Sequence, residues 1–195
     1  MPTTSRKTAT SPNPAPRAAA RKTPAKAPVA QEATALLKAD HKLVSELCDQ
    51  YEKTRSSARK KKLVESICME LGIHAMAEEE IFYPAVKAAL KDKEMVPEAI
   101  VEHASLKELM AQVEGKEPDG EMFDAKVKVL SEYVKHHVKE EETEMFPKAR
   151  KTKLDMKALG AEIVARKEQL KATWPQVGSS ASLLSRVNRV VEAFS

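Results

Sequence analysis

The sequence predicts an all-α protein: an antiparallel up-down four-helix bundle with two short C-terminal helices and a disordered basic N-terminal tail. Its 195 residues are 42% hydrophobic but include only 5 glycines and 4% aromatic residues, a composition typical of helices rather than of a turn-rich β-sandwich. Apolar residues recur along four long segments at the i, i+3, i+4, i+7 spacing of amphipathic helices. Short polar separators make antiparallel neighbours the simplest arrangement of these helices.

The first predicted domain, residues 1–31, is a basic tail rich in proline and alanine. Residues 1–30 hold six of the 11 prolines and six basic residues, with no acidic residue. Such a segment cannot bury a core, and we expect it to be disordered. Without those six basic residues the chain has 27 basic and 29 acidic residues, so its body gives no reason to expect nucleic-acid binding. A solubilising role and a weak contact with a polyanion are the alternatives for the tail.

The second predicted domain, residues 32–152, contains the bundle. Its four amphipathic helices are expected near residues 32–55, 59–90, 96–114 and 121–150. The polar separators are Ser56–Ser57, Lys91–Glu94 and Gly115–Gly120. Pro84 and Pro147 fall inside the second and fourth helices, and we expect each to kink or end its helix, since proline lacks the backbone N–H.

The third predicted domain, residues 153–195, is a C-terminal extension with helices near 154–171 and 181–194. The last of these is amphipathic with few charges. We expect it to dock on the bundle or to pair with a second copy in a homodimer, and a membrane surface is the third alternative.

The sequence also predicts a cytoplasmic protein. No apolar run approaches the roughly 20 residues that a transmembrane helix needs. The N-terminus lacks the apolar core of a secretory signal. The two cysteines, Cys48 and Cys68, form no disulfide framework and no CxxC pair, which fits a reducing compartment.

Histidines and glutamates carry the functional signal. Four of the five histidines lie on the apolar stripes, one for each helix of the bundle: His41, His74, His103 and His137. Glu78 and Glu141 each follow a histidine by four residues, on the same helix face. A lone buried histidine is usually a core residue, but two uncompensated carboxylates in one interior cost several kcal/mol each. A cation at their centre would remove that cost.

An internal repeat strengthens the prediction of a metal site. His41 and His103 are 62 residues apart, and His74 and His137 are 63 apart. HAMAEEEIFYP (74–84) aligns with HVKEEETEMFP (137–147), and DHKLVSEL (40–47) aligns with EHASLKEL (102–109). Two similar hairpins related by a pseudo-two-fold axis would form a two-metal centre, with two histidines on each metal, bridging carboxylates and metals about 3.5–4 Å apart. These donors suit iron, manganese or zinc and do not suit calcium.

The repeat and the helical spacing also predict where the neighbouring residues lie. His136 lies between Glu132 and Glu140, one turn away on either side, and is assigned to a solvated face. Tyr133 is expected to pack in the core, and the alternatives are that it lines the site or takes part in electron transfer. Glu79 and Glu142 are expected either to accept hydrogen bonds from the metal-ligating side chains or to face solvent. Cys48 is expected to be a small buried hydrophobe.

This set of residues resembles the hemerythrin-like HHE cation-binding domain, over about residues 32–150. The resemblance implies a four-helix bundle with a non-haem di-iron centre that binds dioxygen or another small diatomic or peroxide ligand. It further implies that His41 and His74 serve one iron and that His103 and His137 serve the other. Glu78 and Glu141 would bridge the two. Zinc and manganese are the alternative metals.

Two departures place the chain nearer to the broader bacterial type of this family. The oxygen-carrying hemerythrins have a further histidine one turn after the equivalent of His103, where this chain has Lys107. They also use an aspartate five residues after the last histidine, where this chain offers Glu141 at four. We therefore expect sensing, storage or detoxification of a small ligand. An enzyme that decomposes hydrogen peroxide or acts as an oxidase, and a structural metal-binding interaction module, are the alternatives.

Overall fold

The structure, a computed structural model, describes residues 31–91 and 93–177, and every regular element in these ranges is a helix. Seven α-helices follow one another, α1 (Ala33–Lys53), α2 (Ser57–Ala77), α3 (Tyr83–Leu90), α4 (Met95–Val113), α5 (Gly120–Glu140), α6 (Phe146–Arg150) and α7 (Met156–Val177). A π-helical turn, Glu78–Phe82, joins α2 to α3, and a second one, Glu141–Met145, joins α5 to α6. The chain therefore winds without a break from residue 57 to 90 and from 120 to 150.

These elements form the predicted antiparallel four-helix bundle. The helix α1 packs along α2, and α4 packs along α5, as two hairpins with short connections. The hairpins meet through contacts of α1 with α5 and of α2 with α4. The ends of the helices use local signals: Ser56 caps α2 by accepting the N–H of Arg59, and Lys91 ends α3 in the left-handed region at φ 52°.

The two π turns occur where the repeat places its prolines. Pro84 and Pro147 stand in the first turn of α3 and α6, directly after a π turn. Proline cannot donate to the carbonyl four residues earlier and clashes with it in a regular α-helix. The wider winding of a π turn accommodates that mismatch. Neither proline ends its helix, because the chain continues as α3 and α6.

The core divides into two apolar clusters on either side of one polar layer. One cluster includes Val44, Leu106 and Val134, and the other includes Leu37 and Ile100. His41 and His103 lie between these clusters on α1 and α4, and His137 follows Val134 by one turn on α5. The bundle thus holds its histidines at one level, with apolar packing above and below them.

The helix α7 is an integral part of this fold and is longer than the predicted 154–171. It packs on α1, α2 and the first π turn, and its Leu170 and Trp174 join the core. The contact with α2 is close, because a Cβ atom at Gly72 would lie 2.1 Å from Cη2 of Trp174. The tail of residues 1–30 and the helix expected at 181–194 lie outside the described residues. Among the described helices, none has the length and apolar character needed to cross a bilayer.

Candidate metal centre

Each of the four long helices contributes one imidazole to a common point in the bundle. His41 Nε2 lies 3.2 Å from His74 Nε2, in the first hairpin. His103 Nε2 lies 3.0 Å from His137 Nε2, in the second hairpin. The two glutamates join them from the π turns, and no residue of the six is more than 5% exposed: His41, His74, Glu78, His103, His137 and Glu141.

The ligand atoms form two overlapping groups that could each hold a metal ion. The first group is His41, His74, Glu78 and Glu141, and the second is Glu78, His103 and His137. Within each group the atoms lie within 4.8 Å of one another. Glu78 belongs to both groups: its Oε2 lies 3.0 Å from His74 Nε2 and 3.5 Å from His103 Nε2.

Glu141 also reaches both pairs of histidines. Its Oε2 lies 3.2 Å from His41 Nε2 and 3.5 Å from His137 Nε2. Both carboxylates therefore stand between the two imidazole pairs. This is the position that the internal repeat predicts for them.

A carboxylate holds the outer nitrogen of every one of these imidazoles. His41 Nδ1 lies 2.9 Å from Glu142, and His103 Nδ1 lies 2.9 Å from Glu79. These two contacts cross from one hairpin to the other. His74 Nδ1 lies 3.2 Å from Asp40, and His137 Nδ1 lies 2.7 Å from Glu102, each within its own hairpin. A carboxylate that accepts a hydrogen bond from Nδ1–H keeps the proton on that nitrogen and leaves the Nε2 lone pair free to face inward, which is the arrangement that metal-binding histidines use.

A further layer of cations neutralises these outer carboxylates. Lys107 Nζ is buried and donates to Glu79 Oε2 at 2.7 Å, and Lys167 of α7 pairs with Asp40. Lys38 lies 3.2 Å from Glu142. His136 lies 3.5 Å from Glu102. The four outer carboxylates are thus oriented between an imidazole on one side and a cationic or titratable group on the other.

Tyr83 is the residue at the centre that the sequence analysis missed. Its side chain is fully buried, and its hydroxyl donates to Glu141 Oε1 at 2.9 Å. The same oxygen lies 3.2 Å from His103 Nε2 and 3.4 Å from Glu78 Oε2. It also lies 3.5 Å from His137 Nε2, so the phenol contacts both carboxylates and two imidazoles of the site.

The comparisons with known proteins agree with this geometry. The sequence model of the hemerythrin HHE cation-binding domain matches residues 32–149. This chain belongs to the hemerythrin HHE family. The domain's cation-binding character and the two groups of His and Glu donors together identify a metal-binding protein.

Two individual proteins are similar to this HHE chain. The crystal structure of an HHE cation-binding domain-containing protein from Mycobacterium kansasii superposes with a TM-score of 0.65 at 22% identity, covering 80% of this chain and 98% of that one. It shows the shared fold. A curated protein from Nostoc sp., described as a DNA nickase, is 27% identical over 111 residues. That match covers 57% of this chain but 31% of the Nostoc protein, so the HHE chain spans about a third of that relative.

The electrostatics of the HHE site without a metal ion show what a cation would relieve. Burial lowers the pKa of His74, but the charge of Glu78 and the hydrogen bonds to Asp40 and Glu78 outweigh it and raise that pKa to about 10. Burial raises the pKa of Glu141, but the charges of His137 and His41 hold it well below its usual range. At His103, burial and the neighbouring His137 lower the pKa. The carboxylates around His74 therefore favour a positive charge there, and a bound cation would supply that charge.

The donor set fits a pair of first-row transition-metal ions. Two buried oxygens, Glu78 Oε1 and Glu141 Oε2, have no hydrogen-bond partner. When the imidazoles carry their protons at Nδ1 alone, as metal ligands do, they present acceptor nitrogens at 3.0–3.2 Å from one another. Acceptors converging at these distances repel one another unless a cation lies between them. Imidazole and carboxylate are the ligands that iron, manganese and zinc accept.

A small apolar cavity adjoins the site inside the bundle. It offers about 20 Å³ to the centres of water-sized molecules, enough for one or two of them. The site histidines and the side chain of Lys107 line one part of it. Apolar side chains line the rest, among them Val44, Leu71, Leu106, Met110 and Val134. The pocket thus suits a small uncharged ligand next to the metal-binding groups.

The structure also tests the predictions made for the residues around the six donors. His136 is exposed, as predicted, with 65% of its side chain accessible. Glu79 and Glu142 accept hydrogen bonds from site histidines, which the sequence analysis left open. Cys48 is buried, as predicted. The two positions predicted for Tyr133, in the core or lining the site, were both wrong, because this residue is 51% exposed.

Besides Tyr83, the sequence analysis did not identify Asp40 and Glu102 as site residues. Each directly precedes a site histidine, at equivalent positions of the repeat. The signal that could have identified them is the acidic residue directly before the histidine on the first helix of each hairpin. Lys167 had no such signal, because it reaches Asp40 only through the docking of α7.

Proposed function

We propose that the HHE chain holds two iron ions among its six buried donors and binds dioxygen or a related small ligand beside them. The observation that supports this most strongly is the pair of donor groups that share Glu78, each with imidazoles whose outer nitrogens are fixed by carboxylates. In this proposal His41 and His74 hold one ion, His103 and His137 hold the other, and Glu78 and Glu141 bridge them. Iron would supply reversible electron transfer to the bound ligand, which zinc cannot.

The protein's own residues have separate roles in this proposal. Asp40, Glu79, Glu102 and Glu142 keep the imidazole rings oriented, so the site needs little rearrangement to accept metal. The apolar walls of the cavity exclude bulk water and larger solutes. Tyr83 supplies a hydroxyl group that donates a hydrogen bond inside the site. The centre is proposed to work in the cytoplasm, where reducing conditions keep Cys48 and Cys68 as the free thiols that the structure shows.

The experiment is an anaerobic titration of the metal-free protein with Fe²⁺, followed by exposure to dioxygen. We expect binding to saturate at two ions per chain and oxygen to produce the absorption bands of a bridged di-ferric centre. His74→Ala should lose bound iron and the bands. The matched variant His136→Ala removes an exposed histidine and should keep both. Folded wild-type protein that binds no iron, or that binds it without any oxygen-dependent absorption change, would reject the proposal.

A second candidate function, decomposition of hydrogen peroxide at the same centre, is favoured by the buried hydroxyl of Tyr83. A proton donor in contact with both bridging carboxylates suits reactions in which oxygen–oxygen bonds break and protons move. Sustained consumption of hydrogen peroxide by the iron-loaded protein, abolished by His74→Ala, would establish this activity. Stoichiometric binding without turnover would leave the first function alone.

A further inference from the structure

We propose that an acidic groove between α4 and α5 is the route by which divalent metal ions reach the centre. This inference rests on the proposed function, since it concerns how the same site is filled. The acidic groove is a cavity of about 80 Å³. Its walls carry Glu98, Glu102, Glu140 and Glu144, and its floor is formed by His137 and Glu141.

The floor of the acidic groove is the metal site itself. His137 and Glu141 both belong to the six buried donors, and both line this groove. Glu141 is 1% exposed, and its Oε2 has no hydrogen-bond partner. A buried carboxylate oxygen without a donor favours a cation, and the groove extends from the surface to the residue that carries it.

The mouth of the acidic groove carries a first binding position for such an ion. His136 Nε2 lies 3.5 Å from Glu102 Oε1 and 3.2 Å from Glu140 Oε1. Ligand atoms of these three residues lie within 4.8 Å of one another, and His136 is exposed. Glu102 also accepts from His137 Nδ1. The outer cluster and the inner site therefore share one carboxylate, and the two positions are neighbours along a single path.

The internal repeat shows that this groove is specific to the second hairpin. At the repeat positions of Glu98, Glu140 and Glu144, the first hairpin has Leu36, Ala77 and Ile81. The helix α7 packs on α1, α2 and the first π turn, the elements that carry these three residues. The two halves match at all six ligand positions but differ at the surface. At these three positions the second half is acidic, whereas the first half is apolar.

The charge of the acidic groove suits a cation. Lys148 lies at its rim, 3.4 Å from Glu144. A second groove, between α1 and α5, also approaches the site, at His41 and Glu142, but Lys135 and Lys139 line it. A cleft with one sign of charge raises the local concentration of the opposite ion and its association rate, by about 10- to 1,000-fold. The acidic groove therefore offers a divalent ion the faster approach.

The test measures how fast the metal-free, full-length protein takes up Co²⁺, followed by the absorption of the bound ion. The variant is the triple substitution Glu98→Gln, Glu140→Gln and Glu144→Gln, which removes three charges from the groove, among them the outer ligand Glu140, and none of the six inner donors. The control is Glu121→Gln, Glu132→Gln and Glu168→Gln, which removes the same net charge from exposed positions outside the groove. At low ionic strength we expect the groove variant to load about 10-fold more slowly than the control. Both should bind the same final amount of Co²⁺.

Three results separate the possible outcomes. A difference in rate that shrinks at high salt supports the route, because salt screens exposed charges. Equal loading rates for the two triple variants, with full final occupancy, overturn the route and leave the proposed function intact. Wild-type protein that binds no Co²⁺ overturns both. If the triple variant does not fold, Glu98→Lys replaces it and should slow loading in the same way, and an unchanged rate in that variant overturns the route.

Discussion

The hydroxyl of Tyr83 donates a hydrogen bond to Glu141 Oε1 at 2.9 Å, and this bond joins the first residue of α3, directly after one π turn, to the π turn of the other hairpin. Tyr83 follows Glu78 by five residues. In a regular α-helix a residue five positions later lies about 140° around the axis. The π turn changes that phase and brings both side chains to the same site, where Tyr83 Oη lies 3.4 Å from Glu78 Oε2.

Replacing Tyr83 with phenylalanine tests this hydrogen bond. The Tyr83→Phe variant leaves Glu141 Oε1 without its donor inside a buried site, so we expect the metal-free protein to lose about 1–3 kcal/mol of unfolding free energy. The metal-loaded protein should lose less, since bound ions neutralise the carboxylate. Urea denaturation with and without metal measures both values. The exposed Tyr133 provides the control, because Tyr133→Phe should change stability by less than about 0.5 kcal/mol. Equal effects of the two substitutions would contradict this role.

The buried ion pair between Lys107 and Glu79 gives a second prediction. Lys107→Met leaves the carboxylate of Glu79 buried with only His103 as its partner, which should cost about 3–5 kcal/mol of stability. The double variant Lys107→Met/Glu79→Gln should recover part of that loss, because it also removes the buried charge. Lys128→Met breaks an exposed pair with Glu132 and should cost at most about 1 kcal/mol. Denaturation curves of the four proteins decide this, and a Lys107→Met variant as stable as Lys128→Met would count against the buried pair.

The stability of the metal-free protein should fall as the pH rises from about 6.5 to about 10. The charges around His74 raise its pKa to about 10 in the folded protein, against an unfolded value of about 6.5. A group with a raised folded pKa stabilises the fold fully below the unfolded pKa, and this contribution is lost as the pH approaches the folded value.

Urea midpoints measured at about pH 6.5, 8 and 9.5 test this. The metal-free protein should show the decline. The metal-loaded protein should not, because metal replaces the proton on the imidazole. Asp40→Asn should flatten the curve of the metal-free protein, since it removes one of the groups that raise the pKa of His74. A pH-independent midpoint in the metal-free protein would contradict the assignment of the extra proton to the imidazole of His74.

The docking of α7 depends on the absence of a side chain at Gly72. A methyl group there would lie 2.1 Å from the Trp174 ring, so Gly72→Ala should destabilise the protein by about 1–3 kcal/mol. In the background of Trp174→Ala the same substitution should instead stabilise it by up to about 1 kcal/mol, because alanine favours the helix. Trp174 is the only tryptophan in the sequence, so its fluorescence reports the release of α7 directly. The same effect of Gly72→Ala in both backgrounds would show that the contact is absent.

The sequence predicted the bundle and the convergence of its six donors because both depend on regular helical periodicity. The four expected segments agree with the observed helices to within a few residues at each end, and the repeat distinguished His137 from His136. The same periodicity failed for Tyr133. That residue lies about 60° around α5 from Leu130, at the edge of the apolar stripe, where a large side chain can face solvent.

Helical periodicity could not predict the remaining contacts of the site. Tyr83 enters the site through a change of helical phase at a π turn. Lys107 marks a departure from the oxygen-carrying hemerythrins, and its burial depends on Glu79 reaching across from the other hairpin. Lys167 reaches Asp40 only because α7 folds back along α1. Each of these contacts depends on tertiary packing, which a one-dimensional pattern does not contain.

The central claim is that six buried side chains hold two metal ions in one site. Anomalous scattering from crystals of the iron-loaded protein tests it most directly. We predict two iron peaks, one next to His41 and His74 and one next to His103 and His137, with Glu78 in contact with both. A single peak at the surface, or none in a well-ordered crystal of iron-saturated protein, would contradict the account.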